Sequence, residues 1–302
     1  MLTPIDRVIA RVLAVYGGWR RDTPPEAMRQ DWDNLFGRQP DDARLEAERL
    51  DGVDAVRITA GDADPDRLFV YFHGGGYLVG SPRSHADLIA RISAATGATG
   101  LCLGYRRAPE HVFPAALDDA LAACRALTAR GVDLNKVAFV GDSAGGNLAL
   151  AATLALRGAG ERLPAAVVLL SPWTDLEAKG ESYVSRSAAD PIHQRGMILA
   201  MAGRYLAGAD PAQPMASPLN AELSGLPPIL VQVGDRETVL DDSRNLVAAA
   251  RSAGVEARLQ VWAEMIHVFQ QFPEDLTEAR EAVAEIGRFL SPRLGRIKEV
   301  RA

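Results

Sequence analysis

The pentapeptide Gly141-Asp142-Ser143-Ala144-Gly145 sets a serine among small residues, directly after the apolar run 137–140 and directly before a long apolar stretch. This matches G-x-S-x-G. Small residues two places before and after the serine let a strand and a helix meet at a sharp corner that pushes the hydroxyl outward. At the N-terminus of a helix, backbone amides and the helix dipole favour developing negative charge. That is the environment of a nucleophile, although a serine there can also serve as a plain N-cap. A second chemical element is His73-Gly74-Gly75-Gly76, which follows the β-rich run 67–72. Consecutive glycines cost conformational entropy and do nothing for a sheet, but they leave backbone amides open to a ligand atom. A phosphate cradle would need G-x-G-x-x-G or a following G-K-[ST], and neither occurs here. Amide donors for an oxyanion fit an HGGG-type loop better.

Positioning these groups is the task of the surrounding elements. β-rich runs occur at 55–59, 67–72, 99–105, 136–141, 165–171, 228–234 and 257–262, the first two close enough for a hairpin. Helical patterns fill 84–96, 115–130, 143–158, 241–253 and 274–290. Strands apolar on both faces, alternating with helices, predict an α/β fold with a mostly parallel sheet covered on both sides. Between Ser171 and Pro228 stands far more chain than a crossover needs, with helical character at 194–207. The reading is a single domain over 1–302, with a helical cap from about 1–45 and about 176–220 lying over the strand ends, where ligands sit in open α/β sheets.

Composition narrows the classes. The 302 residues are 48% hydrophobic and 24% charged, an ordinary globular balance. A net charge of −6 and the lack of a Lys/Arg-rich run argue against nucleic acid. At the N-terminus, Ile5, Val8, Ile9, Val12, Leu13 and Tyr16 recur at helical spacing with Asp6, Arg7 and Arg11 between them. This predicts an amphipathic helix and not a signal peptide. No run reaches the roughly 18 apolar residues of a membrane span. Cys102 and Cys124 sit in apolar surroundings without metal-type spacing, so reduced core thiols and a cytoplasmic location are expected.

The segments HGGGYLVGS (73–81), YRRAPEHVFPAALDD (105–119) and GDSAGGNLAL (141–150) resemble the motifs of the hormone-sensitive-lipase-like family of bacterial esterases. SPWTDL (171–176), YLAGADP (205–211), SPL (217–219) and MIHVF (265–269) extend the likeness in order, from about residue 68 onward. The resemblance implies an α/β-hydrolase fold with a helical cap and an oxyanion hole made by the amides of Gly75, Gly76 and Ala144. Arg107 departs from the pattern, since the family usually has an apolar residue there.

Five histidines could supply a base. His73, His85 and His111 lie in segments that the family uses structurally, and His193 lies in the expected cap. His267 follows the last strand, where the chain order serine, acid, histidine places the base. The acid is drawn from Asp235, Glu237, Asp241 and Asp242. The family usually reads D-P-L-x-D here, and Glu237 stands four residues before Asp241 and thirty before His267, the usual family separation. Glu237 is therefore the expected acid, a glutamate where the family mostly has aspartate, with Asp235 as the competing choice. Asp241 and Asp242 suit the first turn of the next helix.

The expected activity is that of a serine carboxylesterase acting on short-chain acyl esters through an acyl-enzyme, with no metal or organic cofactor. The same machinery would serve a lactone, carbamate or amide hydrolase. A non-catalytic small-molecule binding module on this fold would be expected to have lost part of the triad. Tyr77, Tyr183, Met197 and Leu206 are candidates to line the pocket. The resemblance also implies a homodimer through the sheet edge near the last strand.

Overall fold

A computed structural model of the chain describes residues 2–20 and 22–298; Met1, Arg21 and residues 299–302 lie outside it. Among the described residues, eight strands form one sheet: β1 (Ala43–Leu50), β2 (Val53–Ala60), β3 (Asp64–Phe72), β4 (Ala98–Gly104), β5 (Ala138–Asp142), β6 (Ala166–Leu170), β7 (Ile229–Gly234) and β8 (Ala257–Trp262). Their order is β1-β2-β4-β3-β5-β6-β7-β8. From β4 through β8 all pairs are parallel, while β1–β2 and β2–β4 are antiparallel.

Two features differ from the sequence reading. The expected hairpin between the first two apolar runs does not form, because β4 lies between β2 and β3. The strand β1 was not expected at all. Its sequence ARLEAERL is charged and mostly exposed, as suits an edge strand, and it gives no apolar run to read. The expected cap boundary near residue 45 therefore falls inside β1.

The helices take up both faces of the sheet. Residues Leu68, Val70 and Phe72 of β3 point to one side, with α4 (Ala115–Ala129), α5 (Ala144–Gly158) and α8 (Leu240–Ser252). Phe69 and Tyr71 point to the other, with α3 (Pro82–Thr96) and α9 (Thr277–Leu290). This is the period-two alternation of a strand buried on both faces. α5 is buried along almost its whole length, which explains its all-round apolar sequence.

The remaining helices are α1 (Pro4–Tyr16), α2 (Pro25–Phe36), α6 (Ser182–Ser185) and α7 (Arg195–Leu206). α1 starts with a capping box in which Thr3 and Asp6 satisfy each other's amides, and it buries Val8 and Val12 against Ile266, Phe269 and Phe272. α7 is tied down through Tyr205, whose ring stacks on Tyr77 at 3.7 Å and 3° between planes. Such a pair contributes on the order of 1 kcal/mol beyond its burial. Cys102 and Cys124 are buried and unpaired. No helix among the described residues is long and apolar enough to cross a membrane.

Candidate active site

Ser143 is the single residue between β5 and α5, at φ 52° and ψ −120°. A non-glycine residue at positive φ costs on the order of 1–3 kcal/mol and persists only where its surroundings impose it. Here they do. A Cβ on Gly145 would lie 2.0 Å from the Phe72 carbonyl oxygen and one on Gly141 would lie 2.3 Å from the Gly145 carbonyl oxygen. Backbone cannot retreat from either contact, so the tight crossing of β5, α5 and the end of β3 demands glycine at both positions. The corner is further fixed by Ser143 N–H donating to the Leu170 carbonyl at 2.9 Å.

The C-terminal ends of neighbouring strands bring two more side chains to this hydroxyl. His267, in the loop after β8, has Nε2 2.8 Å from Ser143 Oγ. Its Nδ1 is 2.8 Å from Oε2 of Glu237, in the turn between β7 and α8. Glu237 is fully buried, and its Oε1 accepts from the Ser171 hydroxyl at 2.7 Å and from the Gly234 amide. Both carboxylate oxygens are thus satisfied, as burial of a charge requires. Ser171 also accepts the Val268 amide, at 3.1 Å, so it links the acid to the loop that carries the histidine. Sequence reading gave Ser171 no such part. Its position at the C-terminal end of β6 and its place in the SPWTDL motif were the available signals.

Burial works against a charge on the His267 ring. The hydrogen bond and charge of Glu237, with Asp190 and Asp142 beyond, outweigh it and hold the imidazole above the ordinary histidine value. His193 packs its ring against that of His267, centroids 4.2 Å apart at 68°. Burial, with the nearby His267, pushes His193 well below the ordinary value. Asp190 accepts the amides of Ile192, His193 and Thr238, fixing the segment before α7 that carries His193 to the turn that carries Glu237.

Asp235 does not reach the imidazole. Its carboxylate accepts the Glu264 amide at 2.8 Å, joining the end of β7 to the His267 loop. Asp241 and Asp242 stand in the first turn of α8, where Asp242 accepts the amides of Thr174 and Asp175. Burial pushes the Asp242 carboxyl up to about 8 against the pull of those amides.

The glycine loop lies beside the serine. Gly75 has φ +111°, where a Cβ would lie 2.4 Å from the Val79 carbonyl oxygen. Among the described residues, no acceptor is engaged by the amides of Gly75, Gly76 or Ala144. The loop is anchored through Asp142, which accepts the Tyr71 hydroxyl at 2.8 Å and the Gly74 amide at 2.9 Å, with His85 Nε2 at 3.3 Å. The His73 ring stacks on Tyr105 at 4.2 Å, and burial, with His85 adding, pushes it down to about 3. Neither His73 nor His85 approaches Ser143 Oγ within a hydrogen bond. Arg107 donates to the Gly80 carbonyl, on the outside of the same loop. Arg29 of α2 grips the loop through the Leu78 carbonyl and the segment after β4 through the Ala108 carbonyl, each at 3.0 Å, and pairs with Glu110.

Ser143, His267, Gly75 and Gly76 open on a cavity of about 420 Å³. Its walls are largely apolar: Tyr16 and Trp19 at the end of α1, Trp32 and Phe36 of α2, Met197 and Met201 of α7. Of the four pocket residues expected from sequence, Met197 lines it. Tyr77, Tyr183 and Leu206 do not, since they are buried in packing; Tyr77 instead donates its hydroxyl to Asn147 at 2.8 Å. No group of three or more His, Cys, Asp or Glu among the described residues could hold a metal ion.

A family profile described as alpha/beta hydrolase fold matches residues 69–271, from the glycine loop through the His267 loop. The chain belongs to the α/β-hydrolase fold family. Within this family it is similar to the acetyl-hydrolase of Streptomyces hygroscopicus, with 46% identity over 76% of this chain and 77% of that one. A solved esterase of the bacterial hormone-sensitive lipase family matches it at 44% identity and a TM-score of 0.94, over 98% of this chain and 100% of the other. The esterase EstE5, in a crystal soaked with p-nitrophenyl butyrate, matches at 37% identity and a TM-score of 0.90, over 97% and 99%. This α/β-hydrolase is of the hormone-sensitive-lipase type, as its motifs predict, and it is a carboxylic ester hydrolase.

Proposed function

We propose that this esterase cleaves short-chain acyl esters through a covalent acyl-enzyme on Ser143. Its base and acid is His267, oriented by Glu237. Ser143 Oγ attacks the ester carbonyl while His267 Nε2 takes the hydroxyl proton. The oxyanion of the tetrahedral intermediate is held by the amides of Gly75, Gly76 and Ala144, which engage no other acceptor among the described residues. The alcohol departs with the proton from His267. Water, deprotonated by the same nitrogen, then attacks the acyl carbonyl and frees the acid. Glu237 accepts the Nδ1 proton, fixes the tautomer and stabilises the imidazolium.

The observation that carries this reading is the chain Glu237–His267–Ser143, with both contacts at 2.8 Å and with Ser143 and His267 lining a largely apolar cavity. The short-chain preference rests on the similar proteins, one named an acetyl-hydrolase and another soaked with a butyrate ester. The cap of this reading comprises α1, α2 and the segment 176–220, with Arg29 and the Tyr77–Tyr205 stack as its ties to the catalytic loop. Two buried free thiols agree with a cytoplasmic protein, and pairing of two copies through the edge strand β8 is the oligomer proposed. Sedimentation velocity tests the pairing.

Hydrolysis of p-nitrophenyl esters from acetate to palmitate by wild type and Ser143→Ala tests the function. The expected result is turnover of short chains only, lowered in the variant by about 10³-fold or more. Undiminished turnover in the variant would remove Ser143 from the mechanism.

A further inference from the structure

A second cavity, of about 180 Å³, lies beside the first, between α1, the end of α2, α3 and the loop that follows His267. The two cavities share three lining residues: Phe36, Gln271 and Phe272. Phe36 is the last residue of α2, and its ring centroid is 5.6 Å from that of Phe272. Trp32, one turn earlier on the active-site wall, packs on Phe36 at 4.8 Å. The Arg11 guanidinium lies over the Phe272 ring at 5.9 Å and is itself held by Asp275. The partition between the cavities therefore contains a pair of aromatic side chains clamped from α1. Side chains can be truncated without moving the backbone, so such a wall is adjustable where one built of main chain is not.

We infer that the Phe36–Phe272 pair is the end wall of the substrate's chain site and sets the longest chain this enzyme accepts. The inference rests on the ester-hydrolase reading above and adds to it the residues that limit substrate length. With the rings in place, a chain running from Ser143 toward this wall ends against Phe36, Phe272 and Gln271, the residues that line both cavities. Without them, the chain passes into the second cavity. That cavity is bordered by Arg38, Asp87 and Glu274, with Arg38 and Glu274 paired at 3.2 Å. Its far side is therefore charged, and the gain ends after a few carbons, because a long methylene run would have to desolvate those ion pairs.

The test compares wild type with Phe272→Ala, Phe36→Ala and Phe272→Leu on two series. In p-nitrophenyl esters from acetate to laurate the acyl chain varies; in acetate esters of alkanols from ethanol to dodecanol the alcohol varies. The expected result is a rise on the order of tenfold or more in the octyl-to-ethyl or octanoate-to-acetate ratio of kcat/KM for both alanine variants, with Phe272→Leu between. The series that lengthens identifies which half of the ester faces the wall. Unaltered ratios in both series, with acetate still hydrolysed, would overturn the inference and leave the esterase reading intact. Absence of acetate hydrolysis in the wild type would overturn both. If Phe272→Ala does not fold, the other two variants carry the same comparison.

Discussion

Two buried carboxylates flank Ser143 in this molecule, and each faces a histidine. Asp142, immediately before the serine, lies 3.3 Å from His85 Nε2. Glu237 lies 2.8 Å from His267 Nδ1. Asp142 is closed in by the Tyr71 hydroxyl and the Gly74 amide, and His85 is fully buried behind it. His267 has its second nitrogen on the Ser143 hydroxyl, at the edge of a cavity. In the proposed mechanism the same pair of groups does two jobs. What separates them is where the outer imidazole nitrogen points: toward packed protein it anchors a loop, and toward a hydroxyl beside an open cavity it can move a proton.

The largest effect expected from this contrast comes from Glu237→Gln. It keeps the shape but leaves the imidazole without a charged partner, and kcat should fall by about 10³-fold or more, with Asp235→Asn beside it within about twofold. Steady-state kinetics on p-nitrophenyl butyrate reads both. A large loss in Asp235→Asn and not in Glu237→Gln would exchange their roles.

Asp142→Asn should act on stability instead. It weakens charge-assisted acceptance from Tyr71 and Gly74, and urea unfolding should show a loss of about 2 kcal/mol. Burial opposes the charge on Asp142, but His85, Tyr71 and His73 outweigh it and hold the carboxyl below its usual range. Its contribution is therefore present above the ordinary aspartate value and is lost as pH falls through the lowered one. Equal stability of the two proteins would mean that the pair near the glycine loop anchors nothing.

A smaller effect is expected in the pH profile. The base must be neutral to accept the serine proton, and its environment raises the imidazole above 6.5. In wild type, kcat/KM should fall as pH drops, with a midpoint above that value. In Glu237→Gln burial remains while the carboxylate is gone, so the residual activity should have its midpoint lower. An unmoved midpoint would detach Glu237 from the base.

Much of this arrangement was legible from sequence because its parts are local. G-x-S-x-G and the triple glycine each report a backbone crossing that tolerates no Cβ, as Gly145 against Phe72 illustrates. His267 was singled out by the chain order serine, acid, histidine, and Glu237 by the spacing that the family resemblance implies; both lie in turns at strand ends, after β8 and β7. Partners assembled from distant chain were not legible. Ser171 reaches Glu237 from the end of another strand, and Asp190 and His193 reach the site from the segment before α7. The cavity's aromatic walls come largely from α1, whose apolar residues read only as a helix face, and from α2, which is absent from the helical patterns read from sequence. In the sheet, β1 escaped notice because an exposed edge strand has no apolar side to show, and the order of β2, β4 and β3 depends on pairing that no local pattern encodes.

The central claim, that the pair ending on Ser143 is the reactive one, is tested most directly by covalent trapping. Wild type and Ser143→Ala would be treated with diethyl p-nitrophenyl phosphate, and intact mass and peptide mapping would follow. The account predicts one diethylphosphoryl group per chain, on the peptide carrying Ser143, and none on the variant. Labelling of the variant to the same extent, or of wild type at another residue, would contradict it.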